Sequence, residues 1–173
     1  MFGPASEFGA DKFDILTEIN KEHPMLVVIA TKHKGSLKKW QALKSKNGGG
    51  IIEIREGELS IEKLYQYLYA SDLLLYNKPT KPDTVVVAST AFQCLGSGCP
   101  IVALESSFVE MFGNSVYRYE NDRELKISIV SAFEKDERCK KVIRDAKEYV
   151  EENSAMNVAK KFVGLFESLE EGG

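Results

Sequence analysis

The sequence is poor in the residue types that build disulfide frameworks and metal sites. Among 173 residues there are three cysteines and two histidines. Cys94, Cys99 and Cys139 are odd in number and lack the paired spacing of a zinc site, which argues against a disulfide scaffold and fits a reducing compartment. Two histidines are too few for a histidine-rich site, so the sequence predicts no metal.

Neither sign of charge is in large excess. The 23 basic and 26 acidic residues give a net charge of −3, which argues against a protein that coats nucleic acid. The amino end, Met1-Phe2-Gly3-Pro4, lacks the charged start and apolar middle of a signal peptide. We therefore expect a cytoplasmic protein whose residues 1–173 form one domain.

The longest uncharged run, residues 85–104, has the length of a membrane span. It contains the stretch TAFQCLGSGCPIV, in which Gly96, Gly98 and Pro100 end a helix and precede an apolar strand. The run is therefore predicted to be a short helix followed by a buried strand. Gln93 is the strongly polar side chain of that apolar helix. It is either a buried polar group bonded to backbone or a contact to a ligand.

Strand and helix patterns alternate along most of the chain. Apolar runs predict buried strands over 25–30, 51–54, 72–76, 101–104 and 115–119. Helical spacing predicts helices over 11–23, 36–46, 60–70, 84–95, 121–135, 137–153 and 154–170. This order predicts an α/β doubly wound, Rossmann-like parallel sheet of about six strands, with helices on both faces and a helical carboxyl-terminal end.

The sixth strand is almost missing from the pattern. Phe2-Gly3-Pro4 resembles the exit of a strand, yet hardly any strand precedes it. A lost strand would leave backbone pairing groups exposed in the sheet. We therefore expect the chain to be cut from a longer one.

Basic residues gather in the loops that follow the predicted strands, where parallel sheets bind their ligands. These candidate binding residues are Lys12, His33, Lys78, Lys81 and Thr84. Thr84 opens a predicted helix after Lys78, Lys81 and Asp83, and a helix amino end favours phosphate. The alternative is a set of solvated, lysine-rich surface loops. His33 is a candidate base, although the chain has neither a nucleophile elbow nor a common phosphate-loop motif.

The order of these motifs resembles the carboxyl-terminal, donor-binding half of GT-B glycosyltransferases of group 1, also called family 4. The resemblance covers nearly the whole chain. It is carried by Leu64-Tyr65 through Ala70-Ser71-Asp72, by the run from Gln93 to Val102, and by Asp122, Leu125 and Ile129.

The resemblance implies transfer of a sugar from a nucleotide-sugar to an acceptor, without an obligatory metal or other cofactor. It implies a phosphate clamp at Lys12, helped by Lys78 or Lys81, and a ribose contact at Gln93. It also implies that a glycan or lipid-linked acceptor is held by a separate amino-terminal half, that the full-length protein contacts a membrane peripherally, and that this chain alone does not turn over.

The chain departs from the family at four positions, and at one of them Phe13 replaces a glycine. Gln93 and Val85 stand where relatives carry two glutamates, and Pro4 stands where relatives carry an arginine. Two alternatives therefore stay open. One is a catalytically degenerate domain kept for partner binding. The other is a non-hydrolysing sugar-nucleotide epimerase, which shares the fold.

Overall fold

The computed structural model describes residues 10–31, 34–46, 50–79 and 89–171. Strands and helices alternate up to the last strand, as the sequence predicts. The strands are β1 (Val27–Thr31), β2 (Ile52–Glu56), β3 (Leu74–Tyr76), β4 (Ile101–Leu104) and β5 (Tyr117–Tyr119). The helices are α1 (Ala10–Glu22), α2 (Lys34–Lys46), α3 (Ile61–Tyr69), α4 (Ser89–Leu95), α5 (Asp122–Glu134), α6 (Glu137–Glu152) and α7 (Ala155–Glu171), and a 3-10 segment covers Glu110–Ser115.

All five strands are parallel to their neighbours, but they form two small sheets. β1 pairs with β2, and β4 pairs with β3 on one edge and β5 on the other. The expected single sheet of about six strands is therefore wrong for the described residues, which form sheets of two and three strands. The physical reason is that no described strand bridges β1 and β3.

Side-chain caps explain where three of the helices begin. Ser60, Asn121 and Asp136 each accept a hydrogen bond from the backbone N–H three residues on, at the starts of α3, α5 and α6. Such caps satisfy N–H groups that the first helical turn leaves free. Lys135 ends α5 in the left-handed conformation, with φ of 52°.

The core consists of two packed clusters. The first joins α1, β1, α2 and β2 to β5 and α5, and the rings of Phe13 and Trp40 meet edge to face within it, with centroids 6.0 Å apart. The second joins α3, β3, α4 and β4 to the 3-10 segment and α6, around Leu68, Ile101 and Phe112. Both sheets are thus covered by helices, as expected of a doubly wound fold.

The turn between α4 and β4 folds as the sequence predicts. The Ser97 hydroxyl donates to the Cys94 carbonyl at 2.6 Å and accepts from the Cys99 backbone N–H at 3.2 Å. Gly98 has φ of 75°, which favours glycine, and Pro100 then leads into β4. The uncharged run therefore contains a helix and a strand. Among the described helices, none is both long enough and apolar enough to cross a membrane.

Three consecutive helices form the carboxyl-terminal end. α6 packs against the 3-10 segment, and α7 continues beyond it with few contacts to the rest of the fold. Large apolar side chains of α7 are therefore exposed: Met156, Phe162, Val163, Leu165, Phe166 and Leu169.

Candidate functional site

Polar side chains follow β3, β4 and β5 at the edge of the sheet where the strands end. Asn77 and Lys78 follow β3, Glu105 and Ser106 follow β4, and Glu120 follows β5. The strands pair in parallel, with Tyr76 opposite Ala103 and Leu104 opposite Tyr119, so their carboxyl ends share one edge. This is the edge at which open α/β sheets bind ligands.

Hydrogen bonds tie the loops of this edge together. The Tyr119 hydroxyl donates to Oδ1 of Asn77, which joins the end of β5 to the exit of β3. The Glu105 backbone N–H donates to the Tyr119 carbonyl at 2.8 Å. The Glu105 carboxylate also pairs with the Arg118 guanidinium at 3.4 Å. The loops are therefore held by the strands on both sides of β4.

Lys78 lies over an aromatic ring at this edge. Its Nζ is 4.2 Å from the centroid of the Phe108 ring, and Phe108 is buried. The side chain of Lys78 is half-buried. A cation–π contact of this kind holds the ammonium in place and leaves its hydrogens available to an anion.

Ser106 presents a buried hydroxyl at the exit of β4. The residue is 5% exposed, and its Oγ has no hydrogen-bond partner within the described parts of the chain. Leaving a buried polar group without a partner costs about 1–3 kcal/mol. Ser106 was not among the site residues predicted from the sequence, although the pair Ser106-Ser107, one residue beyond the predicted strand 101–104, was the signal.

Lys12 stands in the first turn of α1 and forms an ion pair with Asp122, in the first turn of α5. The side chain of Lys12 is 19% exposed, whereas that of Asp122 is 58% exposed. The predicted phosphate contact therefore already faces a carboxylate. An anion that binds Lys12 has to compete with Asp122 for it.

Gln93 lies on α4 with an exposed side chain. Its backbone carbonyl accepts a hydrogen bond from the Tyr65 hydroxyl of α3 at 3.2 Å. The interpretation of Gln93 as a buried polar group is therefore wrong, and its side chain is open to a ligand. The ribose contact stays a prediction.

The other predicted site residues cannot be located. His33, Lys81, Thr84 and Val85 lie outside the described residues. Within the described ranges, no hydrogen bond or ion pair joins Lys12, Lys78 and Gln93 to one another. Their roles in one binding site remain predictions.

The three cysteines are free and buried. Burial raises the pKa of Cys94 to about 11 and that of Cys99 to about 12, with the nearby Cys94 adding to the shift at Cys99. Both thiols are therefore protonated at neutral pH. A raised pKa of this kind is typical of structural cysteines and not of thiolate nucleophiles.

Two solved structures resemble the chain over nearly its whole length. WaaG, a glycosyltransferase involved in lipopolysaccharide biosynthesis, matches with a TM-score of 0.67 and 15% identity over 94% of this chain and 44% of its own. A glycosyltransferase from Rickettsia africae ESF-5 matches with a TM-score of 0.61 and 14% identity over 96% of this chain and 46% of its own. No family model matches the sequence.

The chain shares the fold of these glycosyltransferases. It spans less than half the length of either neighbour. At this level of identity the likeness shows the fold alone. The parallel, helix-covered sheets expected from the resemblance are thereby confirmed, but the specific group is not.

Proposed function

We propose that the chain is the donor-binding domain of a GT-B glycosyltransferase of group 1, which binds a nucleotide-sugar at the carboxyl edge of β3 and β4. The observation that carries the proposal is the buried hydroxyl of Ser106, which has no hydrogen-bond partner among the described residues and follows β4 where Lys78 follows the neighbouring strand β3. A diphosphate is bound by hydrogen-bond donors and by cations. The Ser106 hydroxyl is such a donor, and the Lys78 ammonium is such a cation.

The chemistry we propose is electrostatic. As the bond between the sugar and the diphosphate breaks, negative charge develops on the leaving phosphate oxygens. The ammonium of Lys78, the hydroxyl of Ser106 and the backbone N–H groups of the loop after β4 stabilise that charge. Lys12, Lys81 and Thr84 are further proposed phosphate contacts, and Gln93 is the proposed ribose contact. His33 is a proposed neighbour of the donor.

The acceptor, a glycan or a lipid-linked sugar, is proposed to bind a second domain in a longer protein. This fits the share of the two neighbours that the chain covers, 44% and 46%. The full-length protein is then proposed to work in the reducing cytoplasm, in peripheral contact with a membrane when the acceptor is lipid-linked. The chain by itself is proposed to bind donor without turnover.

A second candidate function is partner binding by a domain that has lost catalysis. It is favoured by the uncharged Gln93 and Val85 at the two family glutamate positions. The exposed apolar side chains of α7 also offer a contact surface.

Nucleotide titration of the full chain distinguishes the two candidates. We expect UDP, GDP or one of their sugars to raise the melting temperature. At a ligand concentration a hundred times Kd, the free energy of unfolding rises by about 2.7 kcal/mol. The absence of a shift with every nucleotide contradicts the donor-binding proposal and supports partner binding.

Two matched serine variants test the location of the site. Ser106 and Ser128 are both buried with no hydrogen-bond partner among the described residues, but Ser128 lies within α5. We expect Ser106→Ala to reduce the nucleotide-dependent shift and Ser128→Ala to preserve it. Equal shifts in both variants would place the nucleotide elsewhere.

A further inference from the structure

The second half of α7 is open to solvent on all sides. Every residue from 159 to 170 is exposed, whereas Asn157 is half-buried. The Asn157 amide donates to the Glu151 carbonyl at 2.8 Å. The Lys161 ammonium donates to the Glu152 carbonyl at 3.5 Å, so the first half of α7 is held against the end of α6. Helices of this length owe most of their stability to a packed apolar face, and the second half of α7 lacks one among the described residues.

Five large apolar side chains lie along this open half, and we call them the α7 stripe: Phe162, Val163, Leu165, Phe166 and Leu169. Phe162, Phe166 and Leu169 follow the spacing of four and three residues that places side chains on one face of a helix. The other two stand at the borders of that face. The five side chains are 52–65% exposed. Soluble monomers seldom leave a contiguous apolar patch of this kind open to water, and such patches mark interaction sites.

Charged residues stand on both sides of the middle of the α7 stripe in a self-complementary order. Lys160 and Lys161 lie on the amino-terminal side of Gly164. Glu167 and Glu170 lie on its carboxyl-terminal side. A second α7 that runs antiparallel and is centred on the same glycine brings the basic end of each helix to the level of the acidic end of the other. A parallel copy brings like charges to the same level, which is unfavourable.

The apolar residues match in the same arrangement. Antiparallel helices centred on residue 164 set Phe162 of one copy at the level of Phe166 of the other, and Val163 at the level of Leu165. The rings of Phe162 and Phe166 already stack within one copy, with centroids 6.5 Å apart. Two such pairs meet at the centre of the helix pair and bury a cluster of four aromatic rings.

We propose that two copies of this chain associate through the α7 stripe as an antiparallel, two-fold symmetric helix pair. The interface is isologous, because the same surface of each copy contacts the other. The order of the charges identifies the occupant as a second copy, because that order is the complement of α7 itself.

The size of the α7 stripe sets the strength of the association. Residues 162–169 span about 12 Å of helix, at about 1.5 Å per residue. Interfaces at the small end of the range are weak and transient, so we expect a reversible dimer with a dissociation constant on the order of 10 µM.

The proposal goes beyond the proposed function and does not rest on donor binding. The α7 stripe contains none of the residues of the candidate site. A monomeric chain would therefore leave the outcome of the nucleotide titration unchanged, and a chain that binds no nucleotide would leave the dimer unchanged.

Sedimentation equilibrium of the full chain tests the proposal. We expect the mass to rise from 19.3 kDa towards twice that value as the concentration increases from about 1 to about 300 µM. A chain that stays monomeric overturns the proposal and leaves the α7 stripe to a partner of different sequence. Species larger than dimers also overturn it, because an isologous pair closes at two copies.

A matched pair of variants tests the location of the interface. Phe166 is 60% exposed, and Ile61, in the first turn of α3, is 66% exposed. We expect Phe166→Asp to raise the dissociation constant of the dimer about tenfold or more and Ile61→Asp to leave it within about twofold. Circular dichroism checks that both variants keep their helices. Equal dissociation constants in the two variants overturn the proposal.

Charge reversal tests the complementary order without changing the apolar side chains. The double variant Lys160→Glu, Lys161→Glu makes the open half of α7 acidic, and the double variant Glu167→Lys, Glu170→Lys makes it basic. At low salt, we expect each double variant alone to dimerise about tenfold more weakly than the original chain, and an equimolar mixture of the two to recover the original affinity. Unchanged dimers in either variant, or a mixture that recovers nothing, overturn the proposal.

Discussion

Lys12 and Asp122 form an ion pair that joins the first turns of two helices, although 110 residues separate them in the chain. Both side chains stand at helix amino ends, where the helix dipole favours the carboxylate and disfavours the ammonium. Asp122 therefore keeps Lys12 at a place that would also suit a phosphate. The pair sets up a competition between an internal carboxylate and an external anion.

Substitution of Lys12 and substitution of Asp122 should have opposite effects on nucleotide binding. Lys12→Ala removes a proposed phosphate contact, so we expect the thermal shift with UDP or GDP to disappear. Asp122→Asn frees Lys12 from its competitor, so we expect a larger shift. Each variant should lose less than about 1 kcal/mol of stability, because the pair is partly exposed. An unchanged shift in Lys12→Ala would contradict the phosphate role.

Lys78 should contribute to affinity through its charge. A charge-assisted hydrogen bond contributes about 1.5–3 kcal/mol, so Lys78→Gln should weaken nucleotide diphosphate binding about 10- to 100-fold. Lys63→Gln, on the exposed face of α3, is the control and should leave affinity unchanged. Isothermal titration calorimetry measures both. Equal losses in the two variants would indicate a nonspecific effect of charge.

Substitutions at Gln93 should change donor affinity in both directions. Gln93→Glu restores a carboxylate, which accepts a hydrogen bond from a ribose hydroxyl more strongly than an amide does, so donor affinity should rise. Gln93→Ala should lower it. The side chain is exposed, so both variants should change stability by less than about 0.5 kcal/mol. Gln66→Glu, exposed on α3, is the control, and an equal rise there would refute a ribose contact at Gln93.

Asp136 should make the stability of the fold depend on pH. It caps α6 by accepting from the Cys139 N–H at 2.9 Å and from the Ser131 hydroxyl at 2.7 Å, and these bonds lower its pKa from 3.8. Because the folded pKa is depressed, the contribution is present above pH 3.8 and is lost as the pH falls through the folded value.

Urea unfolding of Asp136→Ala measures this contribution. We expect a loss of about 1 kcal/mol at pH 7, typical of a deleted cap, and a smaller loss at pH 3. Glu137→Gln removes a neighbouring exposed carboxylate and should change little at either pH. A loss that is the same at both pH values would show that the carboxylate charge plays no part.

The thiols should be unreactive in the folded protein. Cys94, Cys99 and Cys139 are buried, and burial holds the pKa values of Cys94 and Cys99 well above neutral pH. At pH 8 we expect Ellman's reagent to detect no fast thiol in the native protein and all three after denaturation. A fast-reacting native thiol would contradict the packing around α4 and α6.

Local signals predicted most of the fold. The helical spacing over 121–135 corresponds to α5, and the Gly-Ser-Gly turn before Pro100 corresponds to the link between α4 and β4. These features depend on residues close in sequence. The number of strands in each sheet was not predicted correctly, because pairing depends on which strands meet in space.

The sequence predicted which loops carry the candidate site, but it did not predict the contacts of their side chains. The basic loops after the strands were visible in the sequence, but the partners of their side chains were not. Asp122 lies beside Lys12, and Phe108 lies beneath Lys78, only because distant segments are folded together. The buried hydroxyl of Ser106 has the same origin, because burial of one serine depends on the whole environment of its loop.

The uncovered side of α7 also has a consequence for handling the protein. Phe162 and Phe166 stack on each other in water, with ring centroids 6.5 Å apart, and a net charge of −3 gives the molecules little mutual repulsion. Salts that strengthen apolar burial, such as ammonium sulfate, should therefore precipitate the chain early. The substitutions Phe162→Asp and Phe166→Asp should raise the ammonium sulfate concentration needed for precipitation without disturbing the sheets.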